Sequence, residues 1–202
     1  MRGKRVALAA AMAVLGSKGA QAGEGRKTVV VYMANEHIAM RTAPFAKAQA
    51  AKMFATIGVQ IQWRSRGRVA LPDNAVVVEM VEQDSGTDCA GALACAKPFE
   101  GTHIRVFYDR LGTKVSKDLV PALLAHVMVH EITHILQRTN RHSDYGVMKA
   151  EWDATDFDQM RTRMLPFNET DVVLIERGLA TREAGVSSRT ICRGFDSTAW
   201  EV

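Results

Sequence analysis

The feature that most constrains this chain is the pentapeptide His130-Glu131-Ile132-Thr133-His134. A helix turns once per about 3.6 residues, so side chains four positions apart share a face and both imidazoles can reach one metal ion. Glu131 follows the first histidine, where a carboxylate can take a proton from a water molecule beside the metal. The pattern therefore predicts a zinc site with a general base, as in zinc-dependent hydrolases.

The flanking residues predict the helix that this pentapeptide requires. Apolar residues recur at helical spacing from Pro121 to Leu136, and proline is tolerated in a first helical turn. Ser116 or Asp118 is expected to cap the start of the helix. The alternative interpretation is an amphipathic helix with two buried, hydrogen-bonded histidines and a chance glutamate, because short motifs carry a false-positive risk.

A catalytic zinc ion needs a third protein ligand and an open position for water. The chain continues to His142 and then to Gly146-Val147-Met148. We expect the helix to end through Asn140, since asparagine tolerates the left-handed conformation that ends many helices. Such a reversal would bring His142 back toward the metal. The alternative for this residue is a solvent-exposed loop histidine.

Taken together, these residues resemble the metzincin metallopeptidases, whose motif HExxHxxGxxH precedes a methionine turn beneath the metal. The resemblance implies a set of site residues: zinc ligands His130, His134 and His142, general base Glu131, and turn methionine Met148. Two features depart from the family pattern. Gln137 stands where the family has glycine, and the third histidine falls two positions later.

The resemblance also implies the fold and the substrate. We expect an α+β, metzincin-like domain in which a twisted mixed sheet packs on an N-terminal helix and on the active-site helix, with a small helical C-terminal part. Residues 23–138 would form the upper part, and residues 139–202 the lower part with the third ligand and the methionine turn. The substrate would be a peptide or protein, paired with an edge strand that we assign to the last strand before the active-site helix.

Glu151 is a rival third ligand, because its distance from His134 resembles that of the glutamate-ligand zincins. Their glutamate usually lies on a second helix, which could begin at Lys149. For the residue that stabilises the oxyanion, Tyr108 and Tyr145 are candidates by chemistry alone. His126 lies one turn before His130, and we interpret it as a hydrogen-bonded core or supporting residue, because a straight helix cannot bring three consecutive turns onto one ion.

The first 22 residues are typical of a secretory signal peptide. Three basic residues precede the apolar run from Val6 to Leu15, and Ala20-Gln21-Ala22 offers small residues for cleavage after Ala22. We therefore expect a secreted or periplasmic protein. The apolar run is too short to span a membrane, and no later segment approaches about 18 unbroken apolar residues.

Cleavage also changes the charge. The whole chain carries a formal charge of +4, and the removed segment contains four basic and no acidic residues, so the mature chain is formally neutral. Nucleic-acid binding is disfavoured, because it requires a basic face in the mature domain. About 180 residues remain, which suits a single domain at 23–202.

The remaining patterns predict the other elements. Alternating or β-branched runs predict strands, and apolar stripes at helical intervals predict helices. The strands are expected at 28–33, 59–64, 75–81 and 103–110, and the helices at 43–57, 156–164 and 168–181, with a C-terminal tail after the last. Asn168 is a suitable cap for that last helix.

The three cysteines fit an oxidising compartment. Cys89 and Cys95 could pair across a short loop. Because Cys192 makes the count odd, either one thiol is unpaired or the partners are assigned differently. The alternative is free, buried thiols. A cysteine-based zinc site is disfavoured, since no pair has the short spacing of such sites. Two other functions stay open from the sequence: a secreted zinc-binding scaffold without turnover, and a zinc hydrolase acting on a non-peptide amide.

Overall fold

The computed structural model describes residues 27–194 with gaps at 69, 73, 83–88, 90, 98 and 100–101, and it describes side chains up to residue 184. The predicted signal peptide lies outside the described residues, and so does the chain after residue 194. Among the helices of the described part, none has a stretch long and apolar enough to cross a membrane.

Five strands form one mixed sheet. They are β1 (Lys27–Ala34), β2 (Val59–Ser65), β3 (Val76–Val81), β4 (Ala94–Ala96) and β5 (His103–Phe107). Their order is β2-β1-β3-β5-β4, in which β4 alone is antiparallel to its neighbour. The valine-rich runs of β1 and β3 suit buried parallel strands. The predicted mixed sheet is confirmed.

Five α-helices accompany the sheet: α1 (Ala43–Ala55), α2 (Tyr108–Lys114), α3 (Val120–Gln137), α4 (Ala154–Thr162) and α5 (Glu169–Gly194). One face of the sheet, the side of Val31, Val78 and Val106, joins α1 and α3 in a single hydrophobic core. Gly58 adopts a φ of 74° just after α1, a left-handed conformation that glycine allows without strain.

Helix α3 is the centre of the domain. It contacts α1, α2, α4, α5 and three strands of the sheet, and nearly all of its side chains are buried. A helix that is apolar on every side belongs in a core. Any side chain that α3 directs toward solvent is therefore held in place by a rigid helix.

Both ends of α3 differ from the prediction. Its N-cap is Leu119, without a side-chain cap, while Asp118 accepts a hydrogen bond from Arg161 Nη1 at 2.8 Å. The predicted capping role of Ser116 or Asp118 is therefore wrong, because the buried Leu119 starts the helix. The predicted reversal at Asn140 is also wrong. The left-handed residue is Arg138, whose backbone N–H donates to the carbonyl of His134.

The strand predicted at 103–110 ends at Phe107, and helix α2 follows it directly. Arg110 Nη1 donates to the carbonyls of Cys89 and Ala92, so tertiary contacts hold this segment as a helix. The edge-strand prediction is corrected as well. Strand β5 lies between β3 and β4, and β4 forms the edge of the sheet on that side.

The C-terminal helices begin near their predicted positions. Asp153 caps α4 two residues earlier than expected, through its hydrogen bonds to the N–H groups of Thr155 and Asp156. Asn168 caps α5, as predicted. Helix α5 continues to Gly194, so the predicted tail is helical up to that residue. Cys89 and Cys95 form the predicted disulfide.

Helices α3 and α5 meet backbone to backbone at Gly178. A Cβ atom at this position would lie 1.7 Å from the carbonyl oxygen of Leu136. We expect Gly178→Ala to destabilise the protein by about 3 kcal/mol or more, because α5 must move away from the end of α3. Urea unfolding measures this change.

The control is Gly112→Ala in α2, where a Cβ atom meets open space. Alanine there should be neutral or stabilise by roughly 0.5–1 kcal/mol, because glycine is the poorer helix former. Equal effects of the two substitutions would contradict the close helix crossing.

Candidate metal centre

His130 and His134 occupy successive turns of α3, and both are buried. Each ring is oriented by a backbone carbonyl: Nδ1 of His130 lies 2.8 Å from the oxygen of Val147, and Nδ1 of His134 lies 2.9 Å from that of Thr139. A carbonyl oxygen only accepts, so Nδ1 is the protonated nitrogen in both rings. Their Nε2 atoms, which face each other at 3.0 Å, are then left with lone pairs.

His142 comes to the same place from the loop after α3. Its ring centroid lies 5.2 Å from that of His130 and 4.9 Å from that of His134. One ring nitrogen from each histidine falls in a group whose atoms all lie within 4.8 Å of one another. The ring of His142 is on the exposed side of the group, so the three side chains leave one side open.

The electrostatics of the group suit a metal ion. Burial, together with the neighbouring His134 and His142, lowers the pKa of His130 to about 3. Burial also lowers the pKa values of His134 and His142. All three rings are therefore neutral near pH 7, which is the state that binds metals.

The donor set fits zinc in particular. Two zinc–nitrogen bonds of 2.0–2.1 Å in a tetrahedral arrangement place the nitrogens about 3.3 Å apart. The 3.0 Å between the Nε2 atoms of His130 and His134 is close to that value. Without a cation between them, two lone pairs at this distance would face each other with no proton to share. Imidazole is also a preferred zinc ligand.

Glu131 lies beside this group in a cleft of about 740 Å³. Burial raises its pKa to about 7, while a hydrogen bond from the backbone of Ala96 acts in the opposite direction. Strand β4 therefore contributes a main-chain donor to the carboxylate. Residues 91–96 form one wall of the cleft, and residues 149–152 form another.

The turn at residues 146–148 supports His130. Gly146 has a φ of 80°, and a Cβ atom there would lie 2.3 Å from the carbonyl oxygen of Pro166. Val147, whose carbonyl orients His130, donates its N–H to that same oxygen at 2.9 Å. Met148 is fully buried, and its carbonyl accepts the N–H of Ser143 at 2.8 Å. The turn therefore contacts both segments that carry the histidines, α3 and the loop of His142.

The other candidate residues lie elsewhere. Glu151 is exposed in the cleft, outside the three-histidine group. The hydroxyl of Tyr108 pairs with Thr42 Oγ1 at 2.9 Å, and Tyr145 is 57% exposed. Neither tyrosine lines the cleft, so neither is placed to stabilise an oxyanion there.

Trp152 is a site residue that the sequence did not indicate. Its ring stands edge-on to His130 at 5.6 Å, and it lines the cleft. A single tryptophan in a loop carries no periodic signal, and only the path of the chain after Met148 brings it there.

The fold and the three-histidine group together define the class of zincin-like α+β domains. No protein-family model matches the sequence, and no curated protein matches it significantly. The fold does match solved structures. Archaemetzincin from Methanopyrus kandleri superimposes with a TM-score of 0.55 at 13% identity, over 78% of this chain and 98% of that chain.

A zinc-dependent peptidase from Methanocorpusculum labreanum superimposes with a TM-score of 0.51 at 11% identity, over 73% of this chain and 99% of that chain. This chain therefore has an archaemetzincin-like fold. The predicted α+β, metzincin-like architecture is confirmed. At these identities the likeness concerns the fold, and the roles of individual residues depend on the geometry above.

His126 has the core role expected for it. Its Nδ1 donates to the carbonyl of Ala122 at 2.7 Å, and its Nε2 accepts the N–H of Leu165 at 3.1 Å. Burial lowers its pKa to about 4. The neutral ring therefore links α3 to the segment between α4 and α5, and a proton on Nε2 would break that link.

This histidine should make the metal-free protein sensitive to acid. The unfolded chain, with a histidine pKa near 6.5, binds the proton before the folded chain does, so stability is complete above about pH 6.5 and falls toward pH 4. Between pH 7.5 and pH 5 the loss attributable to His126 is about 2 kcal/mol, given its folded pKa of about 4.

The variant His126→Gln keeps an acceptor for Leu165 but does not titrate. Urea unfolding of both metal-free proteins should show the difference between wild type and variant changing by about 2 kcal/mol over that pH range. The other histidines titrate in both proteins and cancel. Parallel pH profiles would show that His126 is not the buried neutral group described here.

Proposed function

We propose that this chain is an exported zinc-dependent peptidase in which His130, His134 and His142 hold the metal and Glu131 is the general base. The observation that carries the proposal is the convergence of three neutral imidazoles beside a half-buried carboxylate in an open cleft. The fold shared with the archaeal zinc peptidases supports the same class of chemistry.

Three ring nitrogens and one open side fit a catalytic zinc site, whereas structural zinc is usually closed by four protein ligands. A zinc ion bound there supplies a Lewis acid that polarises a carbonyl group and lowers the pKa of water to about 7. His130 and His134 contribute Nε2 lone pairs, because their Nδ1 atoms are committed to the carbonyls of Val147 and Thr139.

Glu131 accepts the proton of the attacking water and can return it to the leaving amine. Its pKa of about 7 reflects burial in the metal-free chain, and a nearby cation lowers that value. A base whose pKa lies below or near the working pH is ionised for part or all of the time, as proton abstraction requires. The backbone of Ala96 acts to lower the pKa of this carboxylate and so favours its ionised form.

A peptide is the substrate that the cleft walls favour. Strand β4 ends the sheet and lies along the cleft, so an extended peptide can add to it through main-chain hydrogen bonds. This binding mode transfers to β4 the edge-strand role that the sequence assigned to β5. Export is supported by the N-terminal sequence and by the Cys89–Cys95 disulfide, since disulfides persist in oxidising compartments.

The role of Glu131 is tested by Glu131→Gln. The amide keeps the size of the side chain but cannot accept the proton, so we expect zinc content to be retained and peptide turnover to fall about 10²–10⁴-fold. Metal analysis and a broad peptide-library digest measure the two quantities. Glu151→Gln, which changes another carboxylate in the same cleft, should leave turnover nearly intact.

If Glu131→Gln still cleaves peptides at the wild-type rate, Glu131 is not the general base. Wild-type protein that holds zinc but cleaves no peptide would instead indicate a binding scaffold or a hydrolase for non-peptide amides.

The third ligand is tested by comparing zinc affinity in His142→Ala and Glu151→Ala. We expect His142→Ala to lose most of its zinc affinity, because one of three protein ligands is removed, and Glu151→Ala to bind zinc as the wild type does. Competition with a chromophoric chelator gives both dissociation constants. The reverse order would assign the ligand to Glu151.

A further inference from the structure

Asp171, in the first turn of α5, is fully buried, although aspartate is almost never buried unless it is paired. Its Oδ2 accepts the backbone N–H of Asn168 at 3.3 Å, and the Asn168 side chain accepts the backbone N–H of Asp171 at 2.7 Å. This reciprocal pair is a capping box that satisfies the start of α5. It occupies only one of the two carboxylate oxygens.

The second oxygen, Oδ1, points to the loop that carries His142. It accepts the hydroxyl of Ser143 at 2.8 Å and Nη1 of Arg141 at 3.2 Å. The same Nη1 donates to Ser143 Oγ at 3.2 Å, which closes a triangle of polar contacts. One carboxylate oxygen therefore binds both sequence neighbours of His142.

The same loop is tied at its two ends. The backbone carbonyl of Asp171 accepts Nε2 of Gln137 at 3.1 Å, where α3 ends. The N–H of Ser143 donates to the carbonyl of Met148, which leads into the turn that holds His130. The start of α5 thus fixes the path of the loop from the last residue of α3 to His142.

His142 depends on this support more than the other two histidines do. A backbone carbonyl orients each of the buried rings of His130 and His134. The ring of His142 is exposed, and within the described part of the chain it has no such hydrogen bond. Its place in the three-histidine group is therefore set by the loop backbone, because no ring contact of that kind sets it.

We propose that Asp171 is a positioning residue for the metal centre: its Oδ1 holds Arg141 and Ser143 and thereby keeps the imidazole of His142 within reach of the metal. The proposal rests on the proposed function, since it requires His142 to be a ligand. It also accounts for the unusual spacing, because a ligand two positions later than in the metzincin pattern needs its own anchor.

The test is the zinc affinity of Asp171→Asn, measured with zinc alone against a chromophoric chelator. The carboxylate accepts hydrogen bonds on both oxygens, but an amide has only one oxygen. That oxygen can face either the N–H of Asn168 or the donors of Arg141 and Ser143, and the NH₂ group then faces the other set of donors. We expect zinc binding to weaken about 10–100-fold, the usual effect of losing a group that orients a ligand.

Two variants accompany it. Asn168→Ala removes the side-chain acceptor of the Asp171 backbone N–H but keeps the backbone N–H of Asn168 that binds Oδ2, so it should lower the melting temperature while leaving the zinc dissociation constant unchanged. Ser143→Ala removes one donor to Oδ1 with little change in volume, and it should weaken zinc binding in the same direction as Asp171→Asn. If Asp171→Asn does not fold, the zinc affinity of Ser143→Ala tests the proposal in its place.

A double-mutant cycle with His142→Ala separates positioning from general stability. Once His142 is absent, Asp171→Asn should cause no further loss of zinc affinity. An equal loss in both backgrounds, or wild-type affinity in both Asp171→Asn and Ser143→Ala, would overturn the proposal. If His142→Ala itself binds zinc as tightly as the wild type, His142 is not a zinc ligand. That result would contradict the ligand set of the proposed function, whereas the two outcomes above contradict only the role of Asp171.

Discussion

The structure of this protein depends on two neutral imidazoles, those of His130 and His134, whose Nε2 atoms face each other at close range. Backbone carbonyls accept the Nδ1 protons of His130 and His134, so the Nε2 atoms, 3.0 Å apart, have no proton to share. Such an arrangement is unfavourable until a cation lies between the lone pairs. The surrounding elements keep it in place: α3 is locked in the core, and the two carbonyls come from the helix end and from the turn at 146–148.

This constraint links stability to metal binding. A site that exists only in the folded chain adds the free energy of metal binding to that of folding. His130, His134 and His126 are buried in their neutral forms, so acid should weaken the fold and the site together. Two glycines allow close approach near the site: Gly178 lets α5 pack on the end of α3, and Gly146 lets the turn that orients His130 pack on Pro166.

The sequence predicted those parts whose signals are local. The histidine pair and Glu131 share a helix whose apolar period is readable over many residues. Strands β1 and β3 are β-branched runs, and β2 alternates apolar with polar residues. Strand β4 has three residues and no alternation, so nothing in the sequence distinguished it from a loop. Helix α2 depends on the contacts of Arg110 with two distant carbonyls, which no local pattern encodes.

The prediction of where α3 ends was wrong for a similar reason. Asparagine is the better left-handed residue by intrinsic preference, yet Arg138 adopts that conformation because the carbonyl of Thr139 must reach His134. The start of α5 was partly readable, since Asn168 and Asp171 have capping-box spacing. The contacts of Asp171 with the His142 loop join residues about thirty positions apart and needed the structure.

X-ray absorption at the zinc edge of the loaded protein tests the central claim most directly. Three imidazole nitrogens and one oxygen donor at about 2.0–2.1 Å are the expected environment. Two imidazoles with a carboxylate, or four ligands all from the protein, would contradict a three-histidine site with one open position.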